Sequence, residues 1–164
     1  MKHLYRGYGK GKTTAALGLT VRMVSADKSV LWLSCLKDGS SSEIKWLHKN
    51  TCLRLYKFKD FAFQMSNSEK KKVQLEIIEF INAAKKEFYK YDLIVLDEFI
   101  DLIDVEFLSV AEVYDYLKDI TAEVVVTGHR EYLQLLELFD YDTEFKKHKH
   151  PFDKKIKARL GIEF

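Results

Sequence analysis

A single proline, Pro151, stands in 164 residues, and no stretch is a low-complexity linker or an internal repeat. Those absences favour one folded unit, residues 1–164, over a string of modules, and the length suits one domain with a real core. Cysteines number only two, Cys35 and Cys52. Without metal-ligand spacing they give no sign of a cysteine-based metal site, and each reads as a small buried thiol in or beside a strand-like run. No apolar run approaches the roughly 18 residues of a membrane span. Lys2-His3-Leu4-Tyr5-Arg6 leads straight into a glycine-rich loop, where a signal peptide would carry its apolar stretch. A cytoplasmic protein with no membrane partner is therefore expected. Charge of one sign is missing as well. The net charge of +2 argues against a general nucleic-acid-binding surface.

Three of the seven glycines fall together in Gly7-Tyr8-Gly9-Lys10-Gly11-Lys12-Thr13-Thr14. The stretch follows a strand-like run at residues 2–5 and precedes an apolar helical run that begins near Ala15. A glycine-rich turn between strand and helix lets consecutive backbone N–H groups face one concavity and hold phosphate oxygens. Lys12 would reach the phosphates, and the Thr13 hydroxyl would ligate Mg²⁺. The strict pattern G-x-x-x-x-G-K-[ST] is missed by one residue, because Arg6 stands at the first glycine position and the glycine follows at Gly7. Nucleoside triphosphate binding is the expectation.

Strand-like runs recur at residues 2–5, 30–35, 53–58, 93–97 and 123–127. The last two are continuous apolar runs that end in a polar residue, as parallel strands covered on both faces do. Helical runs at 13–26, 68–89, 110–120 and 132–139 separate or follow them, with Ser66, Asn67 or Ser68 available to cap the second. The reading is an α/β fold: a single doubly wound, mostly parallel sheet of the P-loop NTPase-like (RecA-like) kind. Residues 36–50 and 146–164 do not fit the alternation. Each is either a loop at the ligand edge of such a sheet or plain surface.

Leu93-Ile94-Val95-Leu96-Asp97-Glu98 is an apolar strand ending in two carboxylates, some eighty residues after the glycine-rich loop. Asp97 is the expected metal-side carboxylate, and Glu98 would orient water or shape the site. Phosphoryl transfer would need a base or water-positioning residue and often an arginine near the γ-phosphate, and Thr127-Gly128-His129-Arg130 could supply such a group. The fold does not name the reaction. An ATPase, a small-molecule kinase and a non-catalytic nucleotide-binding module all stay open at this point.

Several motifs together resemble one family. They are the loop continued as Thr13-Thr14-Ala15-Ala16-Leu17-Gly18, Leu36-Lys37-Asp38-Gly39, Tyr91 to Glu98, and Val125-Val126-Thr127-Gly128. The tail adds Asp140, Thr143-Glu144, Lys149-His150-Pro151-Phe152 and Ile156-Lys157-Ala158-Arg159-Leu160-Gly161-Ile162-Glu163-Phe164. The chain is similar to the ATP-dependent corrinoid (cob(I)alamin) adenosyltransferases of the phosphate-loop type.

That resemblance implies that Co(I) of a reduced corrinoid attacks the ribose C5′ of ATP and triphosphate leaves. It makes Lys12, Lys10 and Glu98 the expected catalytic groups, with Mg²⁺ held by Thr13 and Asp97. It places Phe61 and Phe63 against the corrin, although two phenylalanines at this spacing also suit one half-buried strand face. His129 stands where the family usually has arginine, and Arg130 follows it, so both are candidate phosphate contacts. The resemblance further implies a homodimer and a flavoprotein reductant. Little chain precedes the loop compared with many relatives, so either a more open pocket or a different way of covering ATP is expected.

Overall fold

The computed structural model describes residues 1–58 and 65–163. The strands are β1 (Lys2–Arg6), β2 (Val30–Ser34), β3 (Cys52–Leu55), β4 (Leu93–Asp97), β5 (Glu123–Thr127) and β6 (Tyr141–Glu144). The helices are α1 (Lys12–Ser25), α2 (Ile44–Asn50), α3 (Asn67–Lys85), α4 (Asp101–Asp104), α5 (Val110–Leu117) and α6 (Leu133–Leu136). Short 3₁₀ turns form at Phe88–Lys90 and Pro151–Lys154. The six strands make one sheet in the order β3-β2-β4-β5-β1-β6. Every pairing is parallel, so the sheet is wholly rather than mostly parallel. β5 lies between β1 and β4, which separates the glycine-rich loop's strand from the strand that ends in Asp97.

Both faces of the sheet are covered, and the period of two in the strands divides the core. Val30, Trp32, Leu93, Val95 and Val125 pack on one face against Ala16 of α1 and Leu47 of α2. Leu31, Leu33, Ile94, Leu96, Val124 and Val126 point to the other face, where Ile77, Ile81, Val113, Leu117 and Leu135 meet them. That arrangement is why the central strands read as unbroken apolar runs. α3 and α5 both open on capping boxes, Ser66 with Glu69 and Ser109 with Glu112. Such a box satisfies two of the N–H groups that a helix start leaves free.

Three elements lie outside the strand and helix runs read from the sequence. One is α4, a single turn. Residues 36–50 include α2, whose Leu47 is fully buried; seven residues are too few to display a helical period. The third is β6. All four of its residues are exposed, so it carries no apolar signal. Its place is set by pairing with β1 and by Arg6, which donates to Asp142 Oδ1 and Oδ2 at 2.7 and 2.9 Å. The helix expected at 132–139 is only the single turn of α6.

Candidate active site at the carboxyl edge

Six parallel strands bring six carboxyl ends to one edge, where ligands bind in open α/β sheets. A cleft of ≈1430 Å³ lies there. Lys12, Thr13, Lys37, Glu98 and His129 line it, with Gly161 to Glu163 from the tail.

The glycine-rich loop sits between the ends of two strands. Gly7 and Gly11 have φ of 108° and 119°, a left-handed backbone that favours glycine. A Cβ at Gly7 or Gly9 would stand 2.5 Å from the carbonyl oxygen of Phe145. The Gly9 N–H donates to that oxygen at 2.6 Å, and the Gly7 N–H donates to the His129 carbonyl at 3.1 Å. Phe145, which follows β6, therefore braces the loop. Lys12 Nζ donates to the loop's own carbonyls, Gly7 O at 2.6 Å and Gly9 O at 3.2 Å. Burial lowers its pKa. Unlike α3 and α5, α1 has no side-chain cap and no acidic residue in its first turn. Its N–H groups and the positive end of its dipole face the cleft open to an anion.

Beside the loop, adjacent strand ends form a polar row. Ser34 is in register with Asp97, and Thr127 Oγ1 donates to Asp97 Oδ1 at 3.0 Å. Thr13 Oγ1, 84 residues away in sequence, donates to the same oxygen at 3.0 Å. Asp97 is 0% exposed. Its other oxygen lies 2.7 Å from Lys37 Nζ, an ion pair without the alignment of a hydrogen bond. Lys37 also reaches Glu43 at 3.2 Å. Burial pulls the Lys37 pKa down, but Asp97 and Glu98 outweigh it and the net direction is up. Glu98 holds a left-handed backbone, φ 57°, with its N–H donating to Thr127 Oγ1 at 2.7 Å. Burial, then the neighbouring Asp97, pushes the Glu98 carboxyl up to about 7.

The residues fit a hard cation that arrives with phosphate. Mg²⁺ takes one or two carboxylates and fills its remaining positions with water and phosphate oxygens. Asp97 offers the carboxylate, and the Thr13 hydroxyl beside it adds a neutral oxygen. Ser34 Oγ is buried with no hydrogen-bond partner among the described residues, as suits a hydrated ion next to it. No group of three or more His, Cys, Asp or Glu among the described residues would hold a metal unaided.

His129 lines the cleft, and Arg130 does not. Asp101 takes the His129 N–H at 2.7 Å and lies 2.9 Å from its Nδ1. That bond raises the imidazole pKa. The Arg130 side chain is 63% exposed and pairs with Asp104 at 3.3 Å. Tyr8 is exposed beside the His129 ring, while Thr14 lines the cleft. Lys10 Nζ lies 3.3 Å from Glu163 Oε1. Glu163 in turn accepts from Arg159, which holds its carboxyl well below the usual carboxylate range. Phe61 and Phe63 lie outside the described residues. Cys35 is buried and Cys52 partly so.

Sequence reading passed over Lys37, Glu43, Phe145 and Glu163 as individual site residues. Lys37 had a usable signal, since it is the first charged residue after the apolar run of β2. Phe145 had none, because its strand is polar throughout.

The family model described as ATP:corrinoid adenosyltransferase BtuR/CobO/CobP matches residues 1–164. A corrinoid adenosyltransferase of Escherichia coli (strain K12) is 28% identical over 174 residues, spanning 98% of this chain and 84% of the relative. The corrinoid adenosyltransferase CobA of Salmonella typhimurium is 27% identical over 164 residues, with the same two coverages. A corrinoid adenosyltransferase of a Sinorhizobium species is 27% identical over 167 residues, 96% of this chain and 77% of the relative.

Proposed function

We propose that this chain, which belongs to the ATP:corrinoid adenosyltransferase family, transfers the 5′-deoxyadenosyl group of ATP to the Co(I) of a reduced corrinoid and releases triphosphate. The bond formed is cobalt to C5′. The bond broken is C5′–O, whose electron pair leaves on the triphosphate, so no proton transfer is required. The observation that carries this reading is the convergence of Lys12, Thr13 and the uncapped start of α1 on one cleft of ≈1430 Å³, with the buried Asp97 directly behind Thr13. Single small-molecule pockets run about 300–1,000 Å³, so a nucleotide and a second, large substrate have room together.

In this reading the protein supplies no nucleophile. Its work is electrostatic and positional. Lys12 leaves the Gly7 and Gly9 carbonyls for the phosphates, and Lys10 adds a second ammonium from the cleft rim. Thr13 and Asp97 would hold Mg²⁺, which when bound would supply positive charge against the triphosphate. Glu98 orders the polar edge, and His129 is a candidate phosphate contact near the loop. Phe61 and Phe63 are assigned to the corrin face by family analogy. A homodimer, a flavoprotein source of electrons and a cytoplasmic location belong to the same analogy. No helix among the described residues is long and apolar enough to cross a membrane.

The test is anaerobic incubation with ATP, Mg²⁺ and chemically reduced cob(I)alamin, following the corrinoid spectrum and identifying the phosphate product. Adenosylcobalamin with stoichiometric triphosphate is expected, and Lys12→Ala should lower the rate by at least about a hundredfold. Orthophosphate without spectral change would replace this reading with an ATPase or kinase.

A further inference from the structure

Lys37 stands in the floor of the cleft between two acids, 2.7 Å from Asp97 Oδ2 and 3.2 Å from Glu43 Oε1. Its side chain is only 14% exposed. The Lys37 carbonyl accepts the Phe58 N–H at 3.2 Å, so its backbone is pinned while a flexible four-carbon stem carries the charge. The demand for that charge comes from Asp97. This carboxylate is fully buried, and its Oδ1 is already engaged by Thr13 and Thr127. A buried carboxylate requires a compensating cation, and Lys37 provides one on Oδ2.

A nucleotide entering the loop brings a divalent cation to Thr13 Oγ1, which is hydrogen-bonded to Asp97 itself. Asp97 then gains a second positive neighbour, and two cations on one carboxylate repel each other. The triphosphate at the same moment brings several negative charges within the cleft that Lys37 lines. The ammonium is thus pushed from one side and drawn from the other, about a fixed pivot.

We propose that Lys37 is a mobile third cation of the phosphate site, which neutralises Asp97 in the free protein and moves onto the triphosphate when the nucleotide and its metal engage Asp97. There it adds to Lys12 and Lys10 in stabilising the leaving group. Glu43 serves as the hinge-side partner that keeps the ammonium inside the cleft. The leaving-group role rests on the adenosyl-transfer reading, and the displacement from Asp97 does not.

The test reads binding rather than turnover. Calorimetric affinity for inorganic triphosphate with Mg²⁺ is measured for wild type, Lys37→Met and Lys37→Arg, with adenosine as a second probe. Loss of one charge-assisted contact predicts that Lys37→Met weakens Mg²⁺–triphosphate binding by roughly tenfold to a hundredfold. Lys37→Arg should stay near wild type, and adenosine affinity should not move. A fixed structural counter-ion gives the opposite sign, because removing it frees Asp97 for the metal; unchanged or tighter Mg²⁺–triphosphate binding in Lys37→Met overturns the proposal. Should Lys37→Met fail to fold, the ¹³Cε signal of Lys37 in labelled wild type decides. It must shift with Mg²⁺–triphosphate and not with adenosine, and a signal that stays in place overturns the proposal. If triphosphate binding depends on Lys37 but no adenosylated corrinoid forms, the transfer reading fails and the cation switch stands.

Discussion

Glu98 combines two unfavourable features at one residue. Its φ of 57° holds a residue with a Cβ in a region that costs a non-glycine residue about 1–2 kcal/mol, and its carboxyl is buried beside Asp97. Such strain persists where function holds it in place. Glu98→Gly relieves both features at the cost of some chain entropy. It should raise unfolding stability at pH 7 by about 1 kcal/mol in denaturant titration while slowing adenosyl transfer. A variant that is both less stable and fully active would remove Glu98 from the site. His129 gives a pH signature. Its pKa is raised by the Asp101 hydrogen bond, so the folded state holds the proton more tightly than the unfolded chain. The contribution is fully present below about pH 6.5 and is lost as pH rises through the folded value. The ring is 44% exposed, and solvent screening limits the effect to less than about 1 kcal/mol. Glu98 titrates in the same direction, so the informative quantity is the wild-type stability minus that of His129→Gln, measured from pH 5.5 to 8.5. That difference should shrink with pH, and a flat difference would show that Asp101 does not hold the proton.

At the scale of elements, legibility followed burial. β4 was visible because Leu93 to Leu96 are buried on both faces, and the switch to Asp97 marked the strand's end. The helix after the glycine-rich loop and the capped start of α3 were visible for the same kind of local reason. β6 was invisible because an edge strand needs only backbone pairing, and its side chains could be Tyr, Asp, Thr and Glu. α6 was over-read, since Tyr132 to Phe139 are apolar enough for two turns but curl after Leu136. The site divides likewise. Lys12, Thr13 and Asp97 were named from local pattern, whereas their partners Lys37 and Phe145 arrive through the order of strands in the sheet. The α3 cap offers an independent check on the local reasoning. Ser66→Ala removes the acceptor for the Glu69 N–H and should cost about 1 kcal/mol of global stability. No loss in equilibrium unfolding would mean that packing of Ile77 and Ile81 alone holds the helix start.

Across the whole molecule, the sheet order decides which distant residues meet. β5 inserted between β1 and β4 sets Thr127 between the loop and Asp97, so one hydroxyl ties Asp97 through its side chain and Glu98 through its backbone. β6 on the far side of β1 carries the chain to Phe145, under the loop, and then into a tail that returns over the cleft. The tail is mostly exposed, including Phe152, Ile156 and Leu160, so little apolar burial holds it down. Among the described residues, the polar link from Lys10 to Glu163, 153 residues apart, therefore ties the tail to the loop, and the Arg159 fork orients the same carboxylate from within the tail. Exposed ion pairs add little to global stability, but a local opening reads them directly. Glu163→Gln should leave the melting temperature unchanged within error and speed tryptic cleavage at the lysines of residues 146–157 several-fold. Bound ATP should speed it in wild type as well, because triphosphate competes with Glu163 for Lys10. Equal cleavage rates in all three cases would mean that the tail is held by something other than this charge.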